Sequence, residues 1–126
     1  MKNRNAELQL RLQKFACDCL KISEIIPSTV GGRHVAGQLV RSGTSPALHY
    51  GEALAAESRR DFVHKMKVCL KELHEAKSTL ILVEMMQWIL YAKLNSVIKE
   101  ADELISIFTA SIKTAIRNSQ QDLSGQ

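Results

Sequence analysis

Apolar residues return at alternating steps of four and three along most of this chain, and that spacing places them on one stripe of an α-helix. Leu8, Leu12, Phe15, Cys19, Ile22 and Ile26 form the first such seam, and Phe62, Met66, Cys69, Leu73, Ala76, Leu80 and Val83 a second. Leu94, Ile98, Ala101, Ile105, Phe108, Ile112 and Ala115 form another. A strand needs period two, so these stretches are helical, and each must bury its stripe against a neighbour. The 126 residues suit one compact domain. With 5% aromatics, 6 Gly and 2 Pro, the chain lacks the turn chemistry of a many-stranded sandwich or barrel.

The breaks between seams set the order of the helices. The first spans Ala6 to Ile26 and is stopped by Pro27 and the pair Gly31-Gly32. A second, less hydrophobic helix covers about Arg33 to Glu57 and contains Pro46. Proline there either kinks the helix by crowding the Ser42 carbonyl, or breaks it, with Ser45 capping a new start. Ser58 followed by Asp61 reads as the cap of a third helix that persists to about Ile89 or Tyr91. The fourth begins near Leu94 with Asn95-Ser96 as its cap. Short connections join antiparallel neighbours, so the expected fold is all-α, an up-down-up-down four-helix bundle over residues 1–117. Residues 118–126 lose periodicity and read as a polar tail.

Two stripes mark the second helix. Gly43, Ala47, Gly51 and Ala55 repeat every four residues as a ridge nearly free of side chains. Gln38, Ser42, Ser45, His49 and Glu52 step by four and three as a polar seam, with Arg41 beside them. Each helical glycine costs about 1 kcal/mol relative to alanine, which a close backbone approach offsets. A contact between subunits is expected here, with the polar seam setting its register or forming a hydrogen-bond network.

Seventeen basic and thirteen acidic residues give a formal charge of +4. By segment the balance is +2 over 1–30, 0 over 31–57, +3 over 58–93 and −1 over 94–126. That bias suits nucleic acid, an acidic partner protein or plain solubility. Cys17, Cys19 and Cys69 are odd in number and follow no framework spacing, and the start of the chain is polar, so a reduced cytoplasmic setting is expected. Uninterrupted apolar runs such as Trp88 to Ala92 fall far short of the roughly 20 residues a membrane span needs.

Reactive chemistry finds little support. Cys17 and Cys19 project about 200° apart on a helix, and His64 and His74 stand ten apart, so no metal site is expected and no cofactor is implied. Ser42, Ser45 and His49 align on one stripe, but no nucleophile elbow, phosphate-cradling loop or oxyanion turn accompanies them. No enzyme activity is expected. Arg60, His64, Lys67, Lys71 and His74 step by four and three, a cationic seam some four turns long with Arg59 at its head. It is either a phosphate-binding edge or a solvated face laced with pairs such as Lys71 and Glu75. No aromatics interleave it, so any nucleic-acid contact would be electrostatic.

Blocks in order carry a resemblance that covers about Leu8 to Arg117. They are Gln38-Leu39-Val40-Arg41-Ser42-Gly43-Thr44-Ser45, Tyr50-Gly51-Glu52-Ala53, Ser58-Arg59-Arg60-Asp61-Phe62-Val63-His64-Lys65 and Lys71-Glu72-Leu73-His74-Glu75. Glu100-Ala101-Asp102-Glu103-Leu104 and Ile112-Lys113-Thr114-Ala115 extend them. The sequence resembles the four-helix-bundle proteins encoded in intervening sequences of 23S ribosomal RNA genes. That resemblance implies a homopentameric barrel with a basic surface or pore. It also implies kinship with the accessory variability determinants of diversity-generating retroelements, which associate with a reverse transcriptase and nucleic acid. The family has no assigned reaction. Its members commonly carry Asn where His49 stands here.

Overall fold

A computed structural model describes residues 3–124, with four helices in chain order: α1 (Arg4–Ile25), α2 (Val30–Leu54), α3 (Arg59–Met86) and α4 (Leu94–Ser124). Met1, Lys2 and the last two residues of the expected tail lie outside the described residues. Consecutive helices pack against each other and α1 meets α4 least, so the all-α antiparallel bundle is the observed fold.

Side-chain caps set the helix starts. Asn3 Oδ1 accepts from the amides of Asn5 and Ala6 at 3.0 and 3.2 Å, Thr29 Oγ1 from Gly32 at 3.0 Å, and Ser58 Oγ from Asp61 at 3.0 Å. Each satisfies amides that a first helical turn leaves unpaired. The Ser58 cap was legible in the sequence; the other boundaries need correction. The first reversal fits within Ile26 to Thr29, so Gly31 and Gly32 open α2 rather than stop α1. Gly32 is required there by proximity: a β-carbon would sit 1.8 Å from the Pro27 carbonyl oxygen.

Helix α3 stops at Met86, short of Ile89, because Gln87 adopts the left-handed conformation (φ 54°, ψ 32°) and its amide returns to the Glu84 carbonyl. Ile89 still enters the core from the connection. Leu94 itself begins α4, and Ser96, expected as part of a cap, lies inside the helix with its hydroxyl donating to the Lys93 carbonyl at 2.7 Å. At its far end α4 runs to Ser124, past the point where periodicity fades at Asn118.

Helix α2 is unbroken through Pro46, which is buried. Ser42, Thr44 and Ser45, just before it, donate their hydroxyls to the carbonyls of Gln38, Val40 and Arg41 at 2.8, 2.7 and 2.7 Å. Ser45 therefore bonds back into the helix instead of capping a new one.

The seams meet in one core. Leu12, Phe15, Cys19 and Ile22 of α1 join Met66, Cys69, Leu73, Ala76, Leu80 and Val83 of α3. On α4, Leu94, Ala101, Phe108 and Ile112 are buried as the spacing implies, but Val97 and Leu104 occupy the centre while Ile98 and Ile105 are half-buried. Neighbouring apolar pairs (97/98, 104/105) leave the rotation of that helix open by one residue until α3 sets it. Tyr50 of α2 crosses the core to Phe108 edge-to-face, with ring centres 5.7 Å apart.

The glycine-alanine ridge of α2 faces α1 of the same chain. A β-carbon at Gly43 would lie 2.5 Å from Cys19 Cβ and 2.7 Å from its Sγ. The close approach that offsets the helix cost of Gly43 is thus made within the protomer. Gly37, by contrast, has open space where a β-carbon would go. Gly43→Ala should lower unfolding free energy by about 1–2 kcal/mol through overpacking, beyond what better helix propensity restores. Gly37→Ala should raise it by up to about 1 kcal/mol. Urea midpoints measure both, and a Gly43→Ala protein as stable as the original would contradict the packing.

Candidate nucleic-acid interface

Helix α3 turns Met66, Cys69, Leu73 and Ala76 to the core and leaves Arg60, His64, Lys67, Lys71 and His74 exposed. Three carboxylates of α3 near that stripe are occupied by other partners. Glu72 is 7% exposed and turned toward α2, where His49 Nδ1 and its Oε1 share a hydrogen bond at 2.5 Å. Glu75 Oε2 accepts from Arg41 Nη2 at 3.0 Å, so the Lys71–Glu75 pair suggested by spacing does not form. Asp61 pairs with Lys65 at 3.2 Å. From α4, Asp102 reaches Lys77 at 2.5 Å.

Among the described residues, then, Lys65 and Lys77 have carboxylate partners while Arg60, Lys67 and Lys71 have none within 4.0 Å. Both kinds of cation sit on one helix, but the acids have been drawn off to either side. In an isolated helix Lys71 would pair with Glu75, four residues on. Packing against α2 prevents that.

The polar seam of α2 and the stripe of α3 share one face. His49 and Glu52 line a shallow groove with His64 and Lys65. Two turns along, Gln38 and Arg41 line another with Lys71, His74, Glu75, Ser78 and Thr79. Ser42 is the exception: it is 1% exposed, a core residue whose hydroxyl is satisfied by the Gln38 carbonyl. Ser45 donates to Arg41 O, so neither hydroxyl is held against the His49 ring. Arg59, the first residue of α3, lies apart from the stripe in a cleft with Phe62, Ser111, Thr114 and Asn118.

Sequence reasoning missed Glu72 and Glu75 as partners of α2. The signal was available in the hairpin, since Arg41 and Glu75 lie at similar distances from the α2–α3 turn and antiparallel helices bring such residues together.

Helices α1 and α4, which touch least, are clipped by charge. Arg11 Nε donates to Glu100 Oε2 at 3.0 Å and its Nη2 to Glu100 Oε1 at 2.5 Å and Glu103 Oε2 at 2.8 Å.

Cys17 is exposed, whereas Cys19 and Cys69 are buried. Burial, aided by Asp18 for Cys19 and by Glu72 for Cys69, pushes both thiols up to about 12. They act as small core fillers. No group of three or more His, Cys, Asp or Glu among the described residues could hold a metal ion, and no described helix is long and apolar enough to cross a membrane.

Comparisons with known proteins bear on this geometry. A family described as 23S rRNA-intervening sequence protein matches residues 5–110. A solved structure from Bacteroides thetaiotaomicron, described as a protein with unknown function from the S23 ribosomal protein family, superposes with a TM-score of 0.79. Its sequence identity is 24%, and the match covers 88% of this chain and 99% of that one. That likeness concerns the fold. No curated protein matches.

Two outcomes follow from this geometry. His49→Ala should cost about 1–3 kcal/mol by leaving the buried Glu72 carboxylate without a donor, and His49→Asn less, because an amide can donate in its place. Equal denaturation midpoints for the two variants would contradict the pairing. In the native protein at neutral pH, a thiol reagent should titrate Cys17 alone, with Cys19 and Cys69 reacting only on unfolding. Because the folded state keeps protons that an unfolded thiol releases near its ordinary value of 9.0, this stabilisation is full below pH 9 and is lost as pH rises toward about 12. Stability that stays level through that window would contradict the burial.

Proposed function

The chain belongs to the 23S rRNA-intervening sequence protein family, and from that membership together with the unpaired cations of α3 we propose a non-enzymatic, self-associating bundle that binds RNA or DNA through its phosphate backbone. The observation that carries the proposal is the arrangement of Arg60, Lys67 and Lys71 along one exposed face with no carboxylate of the described residues within pairing distance. His64 and His74 extend the same face.

Attraction here is a field effect. Condensed counterions leave the nucleic acid as lysines and arginines approach its phosphates, so affinity falls with salt at a slope of about −0.9 per phosphate contacted. No aromatic interrupts the face, so contact is with backbone rather than stacked bases. Assembly into the homopentamer that family resemblance implies would multiply the face by symmetry, and weak contacts would sum through multivalency. Static light scattering after size exclusion tests the assembly, and a monomer mass would remove it from the proposal.

Lys67→Glu combined with Lys71→Glu should weaken binding to a short mixed-sequence RNA duplex by more than about tenfold at low salt and flatten the salt dependence. Unchanged affinity, or an original protein that binds neither RNA nor DNA at low salt, would overturn the reading and leave a scaffold that docks proteins.

A further inference from the structure

Arg41 projects from α2 into the groove that α2 forms with α3. Its Nη2 is shared by two acceptors, Gln38 Oε1 at 2.7 Å and Glu75 Oε2 at 3.0 Å. The two contacts orient the guanidinium but use one of its three nitrogens. A guanidinium carries five N–H donors in a rigid fork, so the donors on Nε and Nη1 are left for a ligand, making no hydrogen bond among the described residues. The side chain is 55% exposed, open to a ligand while already held in place. Lys71 and His74 stand on the opposite wall, both exposed and neither paired with a carboxylate. Ser78 lies one turn beyond them along the same wall.

The charge of the groove selects its ligand. Arg41 and Lys71 against Glu75 leave one net positive charge, before any contribution from His74. A carboxylate entering would offer Arg41 the chemistry that Glu75 supplies already. A phosphodiester brings one negative charge and two terminal oxygens, one for the Arg41 fork and one for the Lys71 ammonium.

We propose that this groove seats one backbone phosphodiester of a nucleic acid between Arg41 of α2 and Lys71 and His74 of α3, with Gln38 and Glu75 holding the guanidinium fork. The proposal rests on nucleic-acid binding by α3 and adds a defined seat on α2, off the stripe itself. In it, Arg41 has a directional role that its charge alone does not fill. Two copies of the same charge at another place on α2 would not substitute for it.

Charge-matched variants separate seat from field. Binding of a short mixed-sequence RNA duplex is titrated at several salt concentrations for Arg41→Ala, Arg41→Lys, Glu75→Gln and the pair Arg41→Ala with Glu75→Gln. The pair conserves net charge, and circular dichroism confirms that each protein is folded. Arg41→Ala should lose about tenfold in affinity, the worth of one charge-assisted hydrogen bond, and its salt slope should shrink by about one. Arg41→Lys should recover part of that loss, and Glu75→Gln should not weaken binding. The charge-neutral pair should remain at least about fivefold weaker than the original protein.

If the pair regains the original affinity, Arg41 acts only through net charge or by keeping Glu75 off Lys71, and the seat is overturned. In that event, weakened binding by the Lys67→Glu, Lys71→Glu protein leaves the α3 reading intact. Absence of binding by the original protein would remove both.

Discussion

Two side chains of α2, Arg41 and His49, shape the electrostatics of α3. Arg41 takes Glu75, the carboxylate that helical spacing would otherwise place beside Lys71, and His49 takes Glu72. With them turned inward, Lys67 and Lys71 face water without a partner. The polar seam of α2 and the basic stripe of α3 are therefore one device, an ion-paired helix interface whose outer edge is left positively charged. In solvent such pairs add little to stability, and their consequence lies in where the remaining charge resides.

That interface depends on the packing behind it. Glu72 is drawn out of water because α2 and α3 bury Leu39, Tyr50, Met66, Cys69 and Leu73 on the neighbouring side, which fixes the distance between the two backbones. On the other flank, Gly43 lets α2 lie against Cys19 of α1. The α1–α4 seam closes the bundle with less apolar contact and the Arg11 fork to Glu100 and Glu103. Acidic residues of α4 are engaged in that closure and, through Asp102, by Lys77 of α3, and none pairs with Arg60, Lys67 or Lys71 among the described residues.

Much of this was legible in the sequence. Alternating three and four spacing identified the core of α1 and α3 almost residue by residue. On α4 the pairs Val97-Ile98 and Leu104-Ile105 permit two rotations, and packing chose the other. The start of α3 was legible in its Ser58-Asp61 cap, whereas the Thr29 cap of α2 and the left-handed Gln87 that ends α3 were not read from the sequence. Ser42 was assigned to the polar seam because a hydroxyl reads as polar, although inside a helix it satisfies itself on the carbonyl of Gln38 and can be buried. The cationic stripe was visible as spacing. Whether it was neutralised was not, since that depends on which carboxylate each cation of another helix claims.

The account stands on a nucleic acid approaching one particular face, and a residue-resolved map of that approach tests it most directly. Side-chain and backbone NMR signals of the arginines and lysines, followed while a short RNA duplex is added at low salt, report where contact occurs. Arg41, Arg60, Lys67 and Lys71, which line the proposed face, should shift together, with Lys65, Lys77 and Arg11 staying near their starting positions. Shifts confined to α1 and α4, or spread evenly over every cation of the chain, would contradict it.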